Sequence, residues 1–207
     1  MSILLPTAYL APVSYYAALF HADEAVIEAN EFYVKQTLRN RCVIATNQGP
    51  QVLSINVVKG NRPRTPIRTV RLCDHGNWMH QHLYSLATYY GNSPFYEFYI
   101  DDIREVMMNG HDGTLFGLNE ALRTRICELI GFTPNVRYSG EWMGENLEPL
   151  ADPTIRHNVP EYYQIAKADG KQPFQPDMSI VDLLFNMGPE SILTLRDLVP
   201  TKIWNKD

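Results

Sequence analysis

The sequence predicts an α/β protein, with a mixed sheet built from an N-terminal βαβ unit plus an antiparallel hairpin and covered by helices. Three observations predict it. Two short apolar runs near the start flank a helical stretch. A pair of alternating segments is joined by a Gly-Pro turn. Three later segments carry apolar residues at helical spacing, and Gly91 and Gly131 stand where helix C-caps are expected.

In order, Ile3 to Leu5 read as a short buried strand ending at Pro6. After Pro12, "SYYAALFHAD" reads as a helix and "EAVIEAN" as a second strand. Such β-loop-α-β units pair their strands in parallel through a right-handed crossover, and ligand loops favour the carboxyl ends of those strands. "RCVIAT", "NQGP" and "QVLSINVV" alternate strand, turn and strand, with Gly49-Pro50 as the turn signal. "IRTVRLCD" gives a further alternating strand with Ile67, Val70 and Leu72 as its apolar positions. Helices follow near 77–90, 97–108 and 114–130, and "NVRYSG" reads as a last strand. Residues 144–177 are rich in Pro, Asp, Asn and Gly without a sustained period, which marks an irregular excursion of the kind that carries function or flexibility. "SIVDLLFNMGPESILTLRDLV" closes the chain as two short helices separated by Gly188-Pro189. A single domain over 1–207 is expected.

The 207 residues, 45% hydrophobic and 20% charged, suffice for one globular core. A net charge of -5 excludes wholesale nucleic-acid binding, which needs a basic surface. Cys42, Cys73 and Cys127 are odd in number and widely spaced, so neither a disulfide framework nor a zinc site is expected, and reduced thiols point to a cytoplasmic location. "MSILLPTAYLAPV" has no basic leader region, and no run approaches the roughly 18–20 apolar residues of a membrane span. No membrane partner, metal or cofactor is expected.

"DHGNWMHQH" (74–82) concentrates three histidines. On a helix, His80 and His82 project about 200° apart and cannot chelate one ion. His82 lies four residues after Trp78 and four before Leu86, on the apolar stripe. Two readings stand: a core histidine with a hydrogen-bond partner, or a pocket histidine beside Trp78 that serves as general base near neutral pH. Asp74 or Asn77 is the expected helix N-cap.

"YVKQTLRNR" puts Lys35, Arg39 and Arg41 past the carboxyl end of the second strand, a position suited to phosphate or carboxylate recognition, with Arg39 the weaker candidate. "KGNRPRTPIRTVR" (59–71) carries Lys59, Arg62, Arg64, Arg68 and Arg71 without an acid. It reads as a solubilising loop or as a patch for a diphosphate, an acidic partner or the acceptor end of a charged tRNA. Ser179 and Asp182 have capping-box spacing, so Asn186 is the one residue of that helix without a local explanation.

Several blocks taken together resemble the WbqC-like protein family: "YLAPVSYYAALF", "YVKQTLRNR", "VKGNRPRTPI", Trp78-x-x-x-His82-Leu83 followed by "YYGNSPFY", and "SIVDLLFNMGP", in that order over residues 1–130 and 178–190. The resemblance implies a glycine transferase decorating an amino sugar of O-antigen, a bacterial surface polysaccharide. It gives His82 as catalytic base and Tyr9, Tyr33, Lys35, Asn40, Arg41, Trp78 and Asn186 as substrate-binding residues. The expected substrate is a small molecule, a nucleotide sugar, with nucleic acid entering only as an aminoacyl-tRNA donor. This chain departs from the family pattern at Thr7-Ala8, where Gln-Pro is usual, at Ala29-Asn30, where an acidic pair is usual, and in a shortened excursion lacking a Gly-rich segment. Those departures raise a competing reading, a non-catalytic sugar-binding, nucleotide-binding or scaffold protein on the family core.

Overall fold

The computed structural model describes residues 2–58, 64–73, 76–144, 147, 152–154, 156–168, 170 and 172–198. Along the chain run β1 (Ser2–Pro6), α1 (Val13–His21), β2 (Glu24–Glu28), β3 (Arg41–Ile44), β4 (Gln51–Ser54), a 3-10 turn (Ile67–Thr69), α2 (Trp78–Tyr90), α3 (Tyr96–Asn109), α4 (Leu115–Ile130), β5 (Val136–Tyr138), α5 (Ile165–Ala168), α6 (Ile180–Met187), a second 3-10 turn (Gly188–Glu190) and α7 (Ser191–Asp197).

The expected βαβ unit and hairpin are both present, and they form two separate sheets. β1 and β2 pair in parallel, Leu4 opposite Val26, and β5 adds to the other side of β2, Ile27 opposite Tyr138. β3 and β4 make the antiparallel pair, Cys42 opposite Leu53. Side chains alternate across the parallel sheet. Ile3, Leu5, Ala25 and Ile27 enter the main core, while Leu4 and Val26 pack on the far face under Leu147. Both faces are covered, which is why these strands read as near-continuous apolar runs.

α1 is buried from Val13 to Leu19, so it is a core helix without a polar face. In α2 the buried residues are Trp78, His82, Leu86 and Tyr90, one per turn. Asn77 sits at its start in the left-handed region without a side-chain cap, and Asp74 lies outside the described residues. Thr114 caps α4 by accepting from the Gly117 N–H, and Gly131 ends that helix at φ +92.

The strand expected over 67–72 is instead a 3-10 turn followed by single bridges, Arg71 to Thr114 and Leu72 to Val57. Ile67 and Val70 are the buried residues, and their three-residue separation is that of a tight turn rather than a strand. The capping box expected at α6 is also absent. The Ser179 hydroxyl donates to the Leu10 carbonyl, and Asp182 is an interior acceptor taking bonds from Tyr162 and Gln164. Through those bonds the irregular excursion is tied down. Asp177 accepts from Ser14 and from the His157 N–H, and Gln175 donates to the Thr46 carbonyl.

Candidate ligand site at the carboxyl ends of the parallel strands

The chain leaves β1 at Thr7, β2 at Glu28 and β5 at Ser139, and each of these side chains is buried in a polar contact. The Thr7 hydroxyl donates to Glu120 at 2.8 Å, and the other oxygen of that carboxylate takes Arg123 Nε at 2.9 Å. Glu120 and Arg123 are one turn apart on α4, so the helix presents both to the strand ends. Glu28 accepts from the Ser139 hydroxyl at 2.6 Å and from the Asn30 and Met143 N–H groups at 2.8 Å each. Beyond β2, Glu31 and Arg39 form a two-point pair in the interior, and the Asn119 amide donates to the Arg39 carbonyl while its oxygen is buried without a partner. The Tyr15 hydroxyl is pushed well up by burial, and then by the nearby Glu120 carboxylate against the Arg123 charge, with Glu31 adding a smaller push. Glu31 and Glu120 thus share one neighbourhood around Tyr15 with their partners Arg39 and Arg123, while Glu28, two residues on from Val26, meets Ser139 on the far face of the sheet.

Its outer edge is aromatic and cationic. Tyr138 is 42% exposed, and burial raises its hydroxyl, with the Glu120 carboxylate adding to that rise and the Arg123 charge opposing it. Phe116 meets Tyr138 edge-on at 5.6 Å, and the Arg68 guanidinium lies over both rings, at 5.3 and 5.8 Å. Arg64 covers Phe32 at 5.6 Å. These residues gather because the chain after β2 zips onto the residues before the 3-10 turn: Phe32 bridges Pro66, the Tyr33 N–H donates to the Thr65 carbonyl, and the Ile67 N–H donates to the Glu31 carbonyl. Two stretches set apart in the sequence as cationic therefore meet. Lys59 and Arg62 lie outside the described residues. A stacked guanidinium keeps its edge N–H groups free for an anion.

The residues expected at a site fall into three groups. Tyr9, Trp78 and His82 form one, inside the core. Tyr9 Oη lies 2.9 Å from His82 Nδ1, the Trp78 ring meets the imidazole edge-on at 5.3 Å, and Trp78 Nε1 donates to the Cys73 carbonyl. Burial pushes His82 down to about 4 against the opposing influence of the Ser54 backbone, so near pH 7 it is a neutral imidazole with Nδ1 engaged by Tyr9.

Tyr33, Lys35, Asn40 and Arg41 form the second group, on the β2–β3 connection. Lys35 is exposed. Asn40 accepts from the Gln36 N–H and donates to the Ile55 carbonyl, closing the loop onto the hairpin. Burial raises the Tyr33 hydroxyl while the Arg41 charge opposes it, and Arg41 Nε is buried without a hydrogen-bond partner. Asn186 stands apart from both groups, accepting from the Ile165 N–H and donating to the Asp182 carbonyl. Among the described residues no three His, Cys, Asp or Glu side chains converge to hold a metal ion, and no helix is long and apolar enough to cross a membrane.

Comparison with known proteins gives a match of residues 7–170 to the WbqC-like protein family. The chain belongs to that family. A relative, "Uncharacterized protein Rv1507c" of Mycobacterium tuberculosis (strain ATCC 25618 / H37Rv), is 26% identical over 225 residues, which cover 93% of this chain and 96% of that protein. No solved structure matches. In this WbqC-like protein, Thr7 and Asn30 both take part in contacts at the strand ends. Thr7 binds Glu120, and the Asn30 amide donates to the Ser139 carbonyl at 2.7 Å.

Sequence reasoning did not single out Glu28, Glu31, Glu120, Arg123 or Ser139, named Thr7 only as a departure, and gave Arg39, buried here against Glu31, less weight than Lys35 and Arg41. A signal was present in α4, where Glu120 and Arg123 fall beside the stripe of Leu115, Leu118, Leu122 and Ile126. Charges on a buried face need partners in the interior.

Proposed function

We propose that this WbqC-like protein is a cytoplasmic transferase that passes an aminoacyl group, in particular glycyl, or another acyl group to the amine of a nucleotide-linked sugar during assembly of a bacterial surface polysaccharide such as O-antigen. The observation that supports the reading is the Thr7–Glu120–Arg123 group at the strand ends, with its Arg68–Phe116–Tyr138 edge. In this chemistry the amine nitrogen bonds to the acyl carbon, the bond from that carbon to the tRNA or adenylate oxygen breaks, and the amine gives up a proton. The site must accept that amine and stabilise the developing oxyanion. Glu120, fixed by Thr7 and Arg123, binds the amine and takes the proton it loses, and returns that proton to the tRNA oxygen as it leaves; an adenylate leaves as its phosphate anion. Arg68 and the Tyr138 hydroxyl face the carbonyl oxygen. Tyr33, Lys35 and Arg41 contribute to the anionic end. Tyr9, His82 and Trp78 act through position: the Tyr9 N–H holds the Leu38 carbonyl of the loop that carries Lys35 and Arg41.

A second reading, a non-catalytic binding or scaffold protein, is favoured by one observation, the burial of His82 in the core with Nδ1 bonded to Tyr9. Mass spectrometry of a nucleotide-linked amino sugar incubated with the protein and glycyl-tRNA or glycyl-adenylate decides between them. The transferase reading expects a glycylated sugar, with turnover lost in Glu120→Gln and Arg68→Ala. Binding of the sugar without product selects the second reading.

A further inference from the structure

A cleft of about 550 Å³, within the usual size of small-molecule pockets, opens where Arg71 to Cys73 pass the start of α2. It is bounded by the hairpin exit, the start of α2, the end of α3 and the α3–α4 loop. Its walls include Val58, Trp78, Met79 and Met108, and the first and last of these are more than half exposed. Trp78 is buried at the floor, so the accessible apolar surface is Val58, Met79 and Met108, and thioether surface of this kind packs against a flat π-system.

Two polar groups face the same space. Asn77 is exposed, sits at φ +49, and its amide caps nothing, so a donor and an acceptor remain side by side. Arg71 is exposed and spends one nitrogen on the Asp112 carbonyl at 3.2 Å, without an ion pair among the described residues. By contrast, the His111 ring is already occupied, by the Met107 carbonyl and the Gly113 N–H. A free amide beside apolar walls matches the edge and face of a heterocyclic base, and a free guanidinium matches a phosphate. Arg71 stands three residues after Arg68, at most about 11 Å along the chain. A second phosphate leaving Arg71 therefore runs toward the Arg68–Phe116–Tyr138 edge.

We propose that this cleft is a nucleoside diphosphate subsite, with the base against Val58, Met79 and Met108 and read by Asn77, and with the phosphates on Arg71 and Arg68. The assignment rests on the transferase reading above and supplies its nucleotide end.

The Cys73 thiol, which lines the cleft, makes the test direct. Alkylation of Cys73 by iodoacetamide is followed by mass spectrometry with uridine or adenosine diphosphate, the free nucleosides, or inorganic pyrophosphate. The expected result is saturable protection by a nucleoside diphosphate. The half-protecting concentration should rise about tenfold in Arg71→Ala and in Asn77→Gly, the loss of one charged or base-edge hydrogen bond. Glycine keeps the left-handed backbone at 77, and the unliganded labelling rate shows that each variant retains its fold. Equal protection by pyrophosphate, or protection indifferent to both substitutions, overturns the assignment. Nucleotide protection without glycyl transfer keeps the cleft and removes the transferase. Transfer whose KM for the nucleotide-linked sugar ignores both substitutions removes the cleft and keeps the transferase.

Discussion

Tyr9 Oη and His82 Nδ1 stand 2.9 Å apart in the interior, a bond that joins the end of β1 to the middle of α2. Burial holds this imidazole at about 4, below its ordinary value near 6.5. A depressed value means that the fold favours the neutral ring. Its contribution is full above about pH 6.5 and is lost as pH falls through about 4. Urea denaturation of His82→Gln against wild type across this window should show the wild type losing on the order of 3 kcal/mol more than the variant. Tyr9→Phe should cost about 1–2 kcal/mol at pH 7 by stranding Nδ1.

Asp182 behaves in the opposite sense. Its burial drives the carboxyl up to about 6, against the hydrogen bonds from Tyr162, Gln164 and Tyr90. A raised value contributes stability fully below about pH 4, and that stability is lost as pH rises through about 6. Asp182→Asn cannot titrate. Its stability relative to wild type should improve by about 3 kcal/mol between pH 4 and pH 7, read by the same denaturation series.

Of the three cysteines, Cys73 should be the one that labels in the folded protein. Burial pushes the Cys127 thiol up to about 12 and the Cys42 thiol higher still, and both are buried, so neither offers a reactive thiolate. Thiol titration near pH 8 should give one equivalent in native buffer and three after denaturation. Fast labelling of Cys42 in native buffer would contradict this.

Arg39 is the most buried cation of the strand-end cluster, held by Glu31 at two points. Arg39→Met removes the partner of an interior carboxylate and should cost about 3–5 kcal/mol in urea denaturation. Adding Glu31→Leu should recover most of that loss, because the apolar pair leaves no interior charge. Failure of the double variant to recover would mean that Glu31 is anchored mainly by other groups.

The fold was legible where neighbours in sequence are neighbours in space. Ile3–Leu5 and Ala25–Ile27 announced buried parallel strands, and Trp78, His82, Leu86 and Tyr90 announced a helix by their spacing. The 67–72 segment was misread because Ile67, Val70 and Leu72 mix two periods, and the deciding bonds come from Glu31 and Gly113. Asn186 lacked an explanation in its own helix because its partner, the Ile165 N–H, arrives from the excursion. The strand-end cluster draws on residues 7, 28–31, 39, 119–123 and 138–139, each an ordinary polar position in its local context. Topology alone brings them together.

The pairing of β2 with β5, Ala25 opposite Val136, also fixes an order of events at the ribosome. β1, α1 and β2 are all synthesised early and can associate at once, but one edge of β2 has no neighbour until residues 136–138 emerge. Throughout that interval the nascent chain carries an open, apolar strand edge, the kind that pairs with other chains. Aggregation of fragments that stop before residue 136 is therefore expected of this topology whatever the strand ends bind.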